Sequence, residues 1–161
     1  MKMPTMEIAH QIPVPSCPLP LADVRTRIEQ VISIAHVSSP SISGKPDFSD
    51  GRELNRGDVY CLVRLVQKRL DSLHKACGDF LNGLSTAQGS DGLEWAQAMS
   101  LSTVMEASTW QAMDSDPNGP LDTDDLRAIR GAMSMLGELL RNVLRACDEA
   151  TASSASAVTL Q

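Results

Sequence analysis

Oxygen-bearing side chains recur at short intervals in one stretch of the chain, a pattern that suits the binding of a hard cation. Hard cations such as Ca²⁺ take about six to eight oxygen ligands, so a single loop must supply carboxylate and amide oxygens at close spacing. No other stretch combines residue types and spacing that predict one particular chemistry. The residues are Asp114, Asp116, Asn118, Asp122 and Asp125.

The stretch 114–125 resembles the calcium-binding loop of an EF-hand, whose twelve places it fills without a gap. The resemblance implies that Gly119 makes the sharp turn at the sixth place and that Leu121 points inward at the eighth. Asp125 is one carbon shorter than the Glu usual at the twelfth place, which implies weak binding or a preference for Mg²⁺. The implied metal ligands are Asp114, Asp116, Asn118, Asp122 and Asp125 through their side chains and Pro120 through its backbone carbonyl.

EF-hand loops usually work in pairs, and the second candidate loop lies at 47–58. Its Leu54 holds the same place as Leu121 in the first loop. The segment departs from the pattern at Gly51, which falls one place early, and at Pro46, which stands where an incoming helix should end. The resemblance therefore covers one loop and its flanks and does not extend to the whole chain.

The same acidic residues also predict a plain turn between two helices. The sequence Asp-Pro-Asn-Gly-Pro at 116–120 is a strong turn sequence. Asp122 or Thr123 can accept hydrogen bonds from the free N–H groups of the following helix, and Asp124 and Asp125 suit the positive end of its dipole. The turn explains every residue of the loop without a metal ion, so both interpretations stay open.

A second group of reactive side chains lies further upstream. Asp71, His74 and Cys77 are spaced three residues apart, so they fall along one ridge of a helix, but no fourth ligand is indicated for a metal. His74 followed by Gly78 resembles the phosphorylatable histidine motif of histidine phosphotransfer domains, which are helical bundles. That family has a Lys before the Gly, and Cys77 stands there in this chain. The resemblance implies phosphotransfer through His74.

Charge is distributed unevenly along the 161 residues. The stretch 76–126 has nine acids and no Lys or Arg, so the net charge of −6 divides into −9 there and +3 elsewhere. A basic patch at the start of the second predicted helix lacks the interleaved aromatic residues that would stack on bases. We therefore expect a solvated face or a surface for an acidic protein partner, and no nucleic-acid partner. The patch comprises Arg52, Arg56, Arg64, Lys68 and Arg69.

The cysteines and the N-terminal residues indicate the cellular compartment. The four cysteines show no CxxC spacing, which predicts reduced thiols in a cytoplasmic protein. The first twenty residues contain prolines that break any apolar run, so they do not predict a secretory signal. No stretch is long and apolar enough to predict a membrane span. The cysteines are Cys17, Cys61, Cys77 and Cys147.

Hydrophobic periodicity predicts the elements that must position these groups. Apolar residues recur every three or four positions in four segments, and the second and fourth segments carry long heptad patterns. Short connections favour an all-α, antiparallel four-helix bundle over 21–150, between disordered arms at 1–20 and 151–161. The predicted helices span about 21–37, 58–84, 92–113 and 123–150.

Absence of any nucleophile–base arrangement or phosphate loop predicts a protein that is not an enzyme. We expect it to act by binding another protein, as an adaptor, a chaperone-like protein or a regulator, or to pair with its own copy as a homodimer. The alternative is a cation-binding helix–loop–helix protein that uses loop 114–125. A third hypothesis is phosphotransfer through His74. No cofactor is expected beyond weakly bound Ca²⁺ or Mg²⁺.

Overall fold

The computed structural model describes residues 16–41, 54–87 and 93–158 and consists of four helices in these ranges. The prediction of an all-α, antiparallel four-helix bundle is confirmed. Each helix is bounded close to the predicted positions at its first residue and continues further at its last. The helices are α1 (Leu21–Ser41), α2 (Arg56–Ala87), α3 (Glu94–Ser115) and α4 (Thr123–Val158).

Contacts between helix ends show that neighbouring helices run in opposite directions. Cys17, just ahead of α1, meets Cys77 in the second half of α2. His74 on the same half of α2 contacts Trp95 at the beginning of α3. Helix α1 packs most extensively on α4 and less closely on α2, whereas α2 packs closely on α3. The α1–α2 side of the bundle is therefore its more open side.

The core is formed by the apolar positions that the heptad patterns predict. All seven predicted positions of α2 between Val63 and Leu84 are buried, and α4 buries its stripe from Met133 to Cys147. Trp95 of α3 is fully buried as well, although no sequence pattern predicts its burial. Because α3 mixes apolar and small polar residues on all sides, its periodicity alone does not reveal the face that meets the core.

Two segments extend beyond the predicted boundaries of the bundle. Helix α4 continues past Ala150 to Val158, so the tail predicted to be disordered is helical over its described part. Alanine is the best helix former, and neither Gly nor Pro interrupts this stretch. At the other end, Cys17 and Leu19 pack partly buried against the core, so the predicted arm is not entirely free of structure. Residues 1–15 lie outside the described part of the chain.

The start of α2 lies two residues ahead of the predicted position 58, at Arg56. The backbone N–H of Asp58 donates to Oδ1 of Asn55 at 2.8 Å, and the N–H of Asn55 donates to Oδ2 of Asp58 at 3.1 Å. This reciprocal pair is a capping box with Asn55 as the N-cap. The capping box fixes the point at which α2 begins. This point lies beside residues 114–125, which we call the acidic loop.

Two glycines inside α4, Gly131 and Gly137, do not mark a close approach of a neighbouring helix. A Cβ at Gly131 would meet no atom within 4 Å, and one at Gly137 would meet only the Arg141 side chain at 3.8 Å. Both positions therefore have room for alanine. None of the helices in the described residues combines the length and the apolar character that a membrane span requires.

Candidate functional site

Two carboxylates of the acidic loop, those of Asp116 and Asp122, accept hydrogen bonds from the loop's own backbone. Oδ1 of Asp116 accepts from the N–H of Asn118 at 3.2 Å. Oδ1 of Asp122 accepts from the N–H groups of Asp124 and Asp125 at 2.8 and 2.9 Å. These two hydrogen bonds lower the pKa of Asp122, and the one from Asp125 has the larger effect. Asp122 is thus the N-cap of α4, as the turn interpretation predicts.

The acidic loop is paired through its backbone with the residues that lead into α2. The N–H of Arg56 donates to the carbonyl of Gly119 at 3.1 Å, and the N–H of Gly57 donates to the carbonyl of Pro117 at 3.0 Å. Asn55 and Pro120 form an antiparallel bridge between them. The described end of the second candidate loop, residues 54–57, therefore contacts the first loop.

Arg56 brings a positive side chain to this acidic loop. Its Nη1 lies 3.4 Å from Oγ of Ser115, and its charge contributes to the lowered pKa of Asp122. Within the described ranges, no group of three or more His, Cys, Asp or Glu side chains is arranged to hold a metal ion. The positive charge of Arg56 thus partly balances the negative charge of the acids from which the cation site was predicted.

Cation binding through loop 114–125 stays a prediction. A metal would have to take the Asp122 carboxylate from the N-cap and the Asp116 carboxylate from its turn, so binding competes with existing hydrogen bonds. Calorimetric titration with Ca²⁺ tests it directly, with Asp114→Ala as the control. Heat that is absent from the Asp114→Ala titration would support the site, and no heat at millimolar calcium would exclude it.

His74 serves as the hydrogen-bond acceptor for a buried tryptophan. The indole Nε1 of Trp95 donates to Nδ1 of His74 at 3.1 Å, and the two rings stack with centroids 6.2 Å apart. Trp95 is fully buried, so its N–H needs an acceptor within the protein. A Cβ at Gly78 would lie 2.7 Å from the same Nδ1 atom. Gly78 therefore leaves the space into which the imidazole folds back toward Trp95.

The tautomer of His74 bears on the phosphotransfer hypothesis. An indole N–H can only donate, so Nδ1 must carry the lone pair and the neutral ring must hold its proton on Nε2. Although the side chain is exposed, its outward nitrogen is then a donor and not a nucleophile. Attack on a phosphoryl group through Nε2 would require the opposite tautomer and the loss of the Trp95 hydrogen bond. Phosphotransfer stays a prediction, and this geometry gives it no support.

The predicted ridge of Asp71, His74 and Cys77 does not form one site. Oδ1 of Asp71 accepts from Nε2 of Gln67 at 3.0 Å, and His74 is engaged by the indole. Cys77 instead meets Cys17, with the two Sγ atoms 3.3 Å apart. The three side chains thus have three different partners.

Three of the four cysteines gather at one end of the bundle. Cys77 interrupts α2, because its φ of −140° and ψ of 17° lie outside the helical range. Burial, together with the contact to Cys17, raises the pKa of Cys77 to about 11, and burial raises the pKa of Cys147 to about 12. Both therefore remain protonated thiols at neutral pH. Cys61 is exposed on the surface of α2.

A polar groove runs between α1 and α2, which we call the α1–α2 groove. It consists of two adjoining hollows of about 470 and 400 Å³ that share Thr26, Gln30 and Arg69. Arg27 enters from α1 opposite Arg69 of α2, and neither guanidinium has an ion-pair partner among the described residues. The remaining lining residues are Asp23, Glu29, Ser33, Ile34 and Ser72.

Two aliphatic side chains, Leu65 of α2 and Ile34 of α1, lie at or beside the α1–α2 groove. Leu65 lies four residues before Arg69, on the same side of α2, and its side chain is 41% exposed. Ile34 lines the groove from α1 and is half-buried. Paired arginines beside accessible aliphatic side chains can bind a segment that carries both carboxylates and apolar residues.

The chain matches no protein-family model, no curated protein and no solved structure.

Sequence reasoning identified Arg69 as part of a basic patch but missed Arg27, which lies 42 positions earlier in the chain. Arg27 shares a face with the exposed Asp23 and Gln30, so a helical wheel of α1 could have revealed a polar face. Which helix lies beside that face follows only from the packing.

Proposed function

We propose that this protein is a non-enzymatic binding module that takes an acidic segment of a partner protein into the α1–α2 groove. The observation that supports the proposal is the pair Arg27 and Arg69, which face one groove from two helices without ion-pair partners among the described residues. Guanidinium groups bind carboxylates through paired hydrogen bonds, so two of them across a groove favour an acidic ligand.

The surroundings of the arginines favour a peptide over a small anion. The two hollows together extend along about three turns of α1, from Asp23 to Ile34, which is longer than one carboxylate requires. Leu65 and Ile34 offer apolar contacts at one end. A segment with acidic residues followed by an aliphatic residue would match both parts, since charge gives orientation and apolar burial gives affinity.

Site-specific photocrosslinking in cells tests the proposal. A benzophenone amino acid at Ser72 places the probe in the groove, and the same residue at Ser134, exposed on α4, serves as the control. We expect a crosslinked partner from position 72 and not from 134. The pair Arg27→Glu with Arg69→Glu should abolish that crosslink, because both attractive charges become repulsive.

A charge-matched variant separates the groove from a general effect of charge. Arg130→Glu with Arg145→Glu makes the same change in net charge on exposed positions of α4 that do not line the groove. This variant should keep the crosslink at position 72. Added salt should weaken that crosslink, because salt screens the attraction between opposite charges. Identical crosslinks from both probe positions, or loss of the crosslink in both charge variants, would contradict the proposal.

A further inference from the structure

We propose that Cys17 and Cys77 are a disulfide-forming pair, a modification site that hydrogen peroxide oxidises and a dithiol reductant restores. The two Sγ atoms are 3.3 Å apart although the residues are 60 positions apart in the sequence. A disulfide bond is about 2.05 Å long, so the sulfurs must approach by only about 1.3 Å. This inference does not depend on the proposed binding function.

Small oxidants have a path to this pair. Ser16 and Pro18, which flank Cys17, line one wall of a cavity of about 510 Å³, and the residues from His74 to Phe80 line the rest. Cys17 is half-buried, whereas Cys77 is only 2% exposed. Cys17 is therefore more accessible to peroxide from solvent than Cys77, which lies at the wall of the cavity.

The oxidation balances with one molecule of peroxide. The Cys17 thiol loses its proton, and the resulting thiolate attacks one oxygen of the peroxide. The O–O bond breaks, and the departing hydroxide takes up that proton as water, which leaves a sulfenic acid on Cys17. The sulfur of Cys77 then attacks that of Cys17, the S–O bond breaks, and the departing hydroxide takes the Cys77 proton as a second water. Two thiols lose two electrons in total and the peroxide gains them. Because Cys77 is already in contact, it competes well with further oxidation of Cys17.

The disulfide would connect two points of the chain that lie outside regular helical geometry. Cys17 directly precedes α1, and Cys77 is the residue at which α2 departs from helical geometry. Their bond would enclose all of α1 and the greater part of α2 in one covalent loop. Cross-links of this kind stabilise a fold by restricting the unfolded chain, so oxidation should raise the melting temperature by several degrees.

Peptide mapping of the full-length protein tests the pair without ambiguity. Trypsin places each cysteine on a separate peptide: 3–25 for Cys17, 57–64 for Cys61, 76–127 for Cys77 and 146–161 for Cys147. After titration with hydrogen peroxide, we expect peptides 3–25 and 76–127 to be linked and to separate on reduction. Linkage to either of the other peptides instead, or Cys17 left as sulfinic acid without linkage, would overturn the inference.

Matched variants complete the test. Cys61→Ser removes an exposed thiol and should leave the linkage and the rise in melting temperature unchanged. Cys17→Ser removes a half-buried residue ahead of α1, so the variant should fold, and peroxide should then leave Cys77 reduced and the melting temperature constant. A rise in melting temperature of the same size in oxidised Cys17→Ser would show that another modification causes it.

Discussion

Helix α2 meets its two neighbours in different ways, and the contrast separates the contacts that stabilise this bundle from the groove that we propose as a binding site. On the α3 side, Tyr60 contacts Trp110 with ring centroids 5.4 Å apart, Gln67 donates to Thr103, and His74 accepts from Trp95. On the α1 side, a groove separates the helices and Arg69 has no ion-pair partner among the described residues. The α3 side of α2 is therefore covered by packed side chains, whereas the α1 side has an open groove.

The side chains of α2 that make these contacts with α3 recur at heptad spacing. Tyr60, Gln67 and His74 are each seven residues apart, so they lie on one line that faces α3. Each has a partner on α3, whereas Oε1 of Gln67 is buried without one. Contacts at heptad spacing favour one register between two helices, because a shift would leave buried polar groups unpaired. The α1 side shows no comparable line among the described residues.

The largest effect should follow loss of the buried indole. Trp95→Ala removes a fully buried side chain between α2 and α3 and should cost about 3–5 kcal/mol of the free energy of unfolding. Trp110→Ala, at a side chain that is 47% exposed, should cost about 1 kcal/mol, mainly through the Tyr60 contact. Urea denaturation followed by circular dichroism measures both. Equal losses would mean that the α2–α3 contact is not anchored at Trp95.

Removing the acceptor of Trp95 should have the next largest effect. His74→Ala leaves the indole N–H without a protein partner and should cost about 1–2 kcal/mol. Lys75→Ala, at the exposed neighbouring position, is the control and should change stability little. The indole proton resonance of Trp95 should also shift in the His74 variant. An unchanged resonance would show that the hydrogen bond does not form in solution.

Alanine should have opposite effects at two helical glycines. At Gly78 the new Cβ would displace the imidazole of His74, which should lower stability by about 1 kcal/mol despite the better helix propensity. At Gly131 it meets nothing within 4 Å, so the gain in propensity should raise stability by about 0.5–1 kcal/mol. Thermal denaturation of the two variants reports both signs. A stabilising Gly78→Ala would refute the packing role given to that glycine.

The smallest effect on stability should come from the open side of α2. Arg69→Ala and Arg27→Ala should each change the free energy of unfolding by less than about 0.5 kcal/mol, since neither guanidinium has an ion pair to lose in the described structure. The same urea denaturation measures them. A loss of about 2 kcal/mol at either position would indicate an internal structural role and weaken the case for a free binding groove.

The acidic loop shows why similar residues can support two interpretations until the fold is known. Its alternation of acids predicted oxygen ligands, and its turn residues predicted an N-cap for α4. The cap is present at Asp122, and the neighbouring charge comes from Arg56, a residue 66 positions away in the sequence. The spacing of side chains along the chain does not reveal which groups from other segments share their space.

Local patterns by themselves determined the four helices, the buried stripes of α2 and α4 and the turn between α3 and α4. These features depend on periodicity and on hydrogen bonds between residues a few positions apart, which a sequence displays directly. Tertiary structure alone decided that His74 accepts from Trp95, that Cys17 reaches Cys77 and that Arg27 faces Arg69. Each of these contacts joins different segments of the chain, and only the packing of one helix against another brings such residues within a few ångströms.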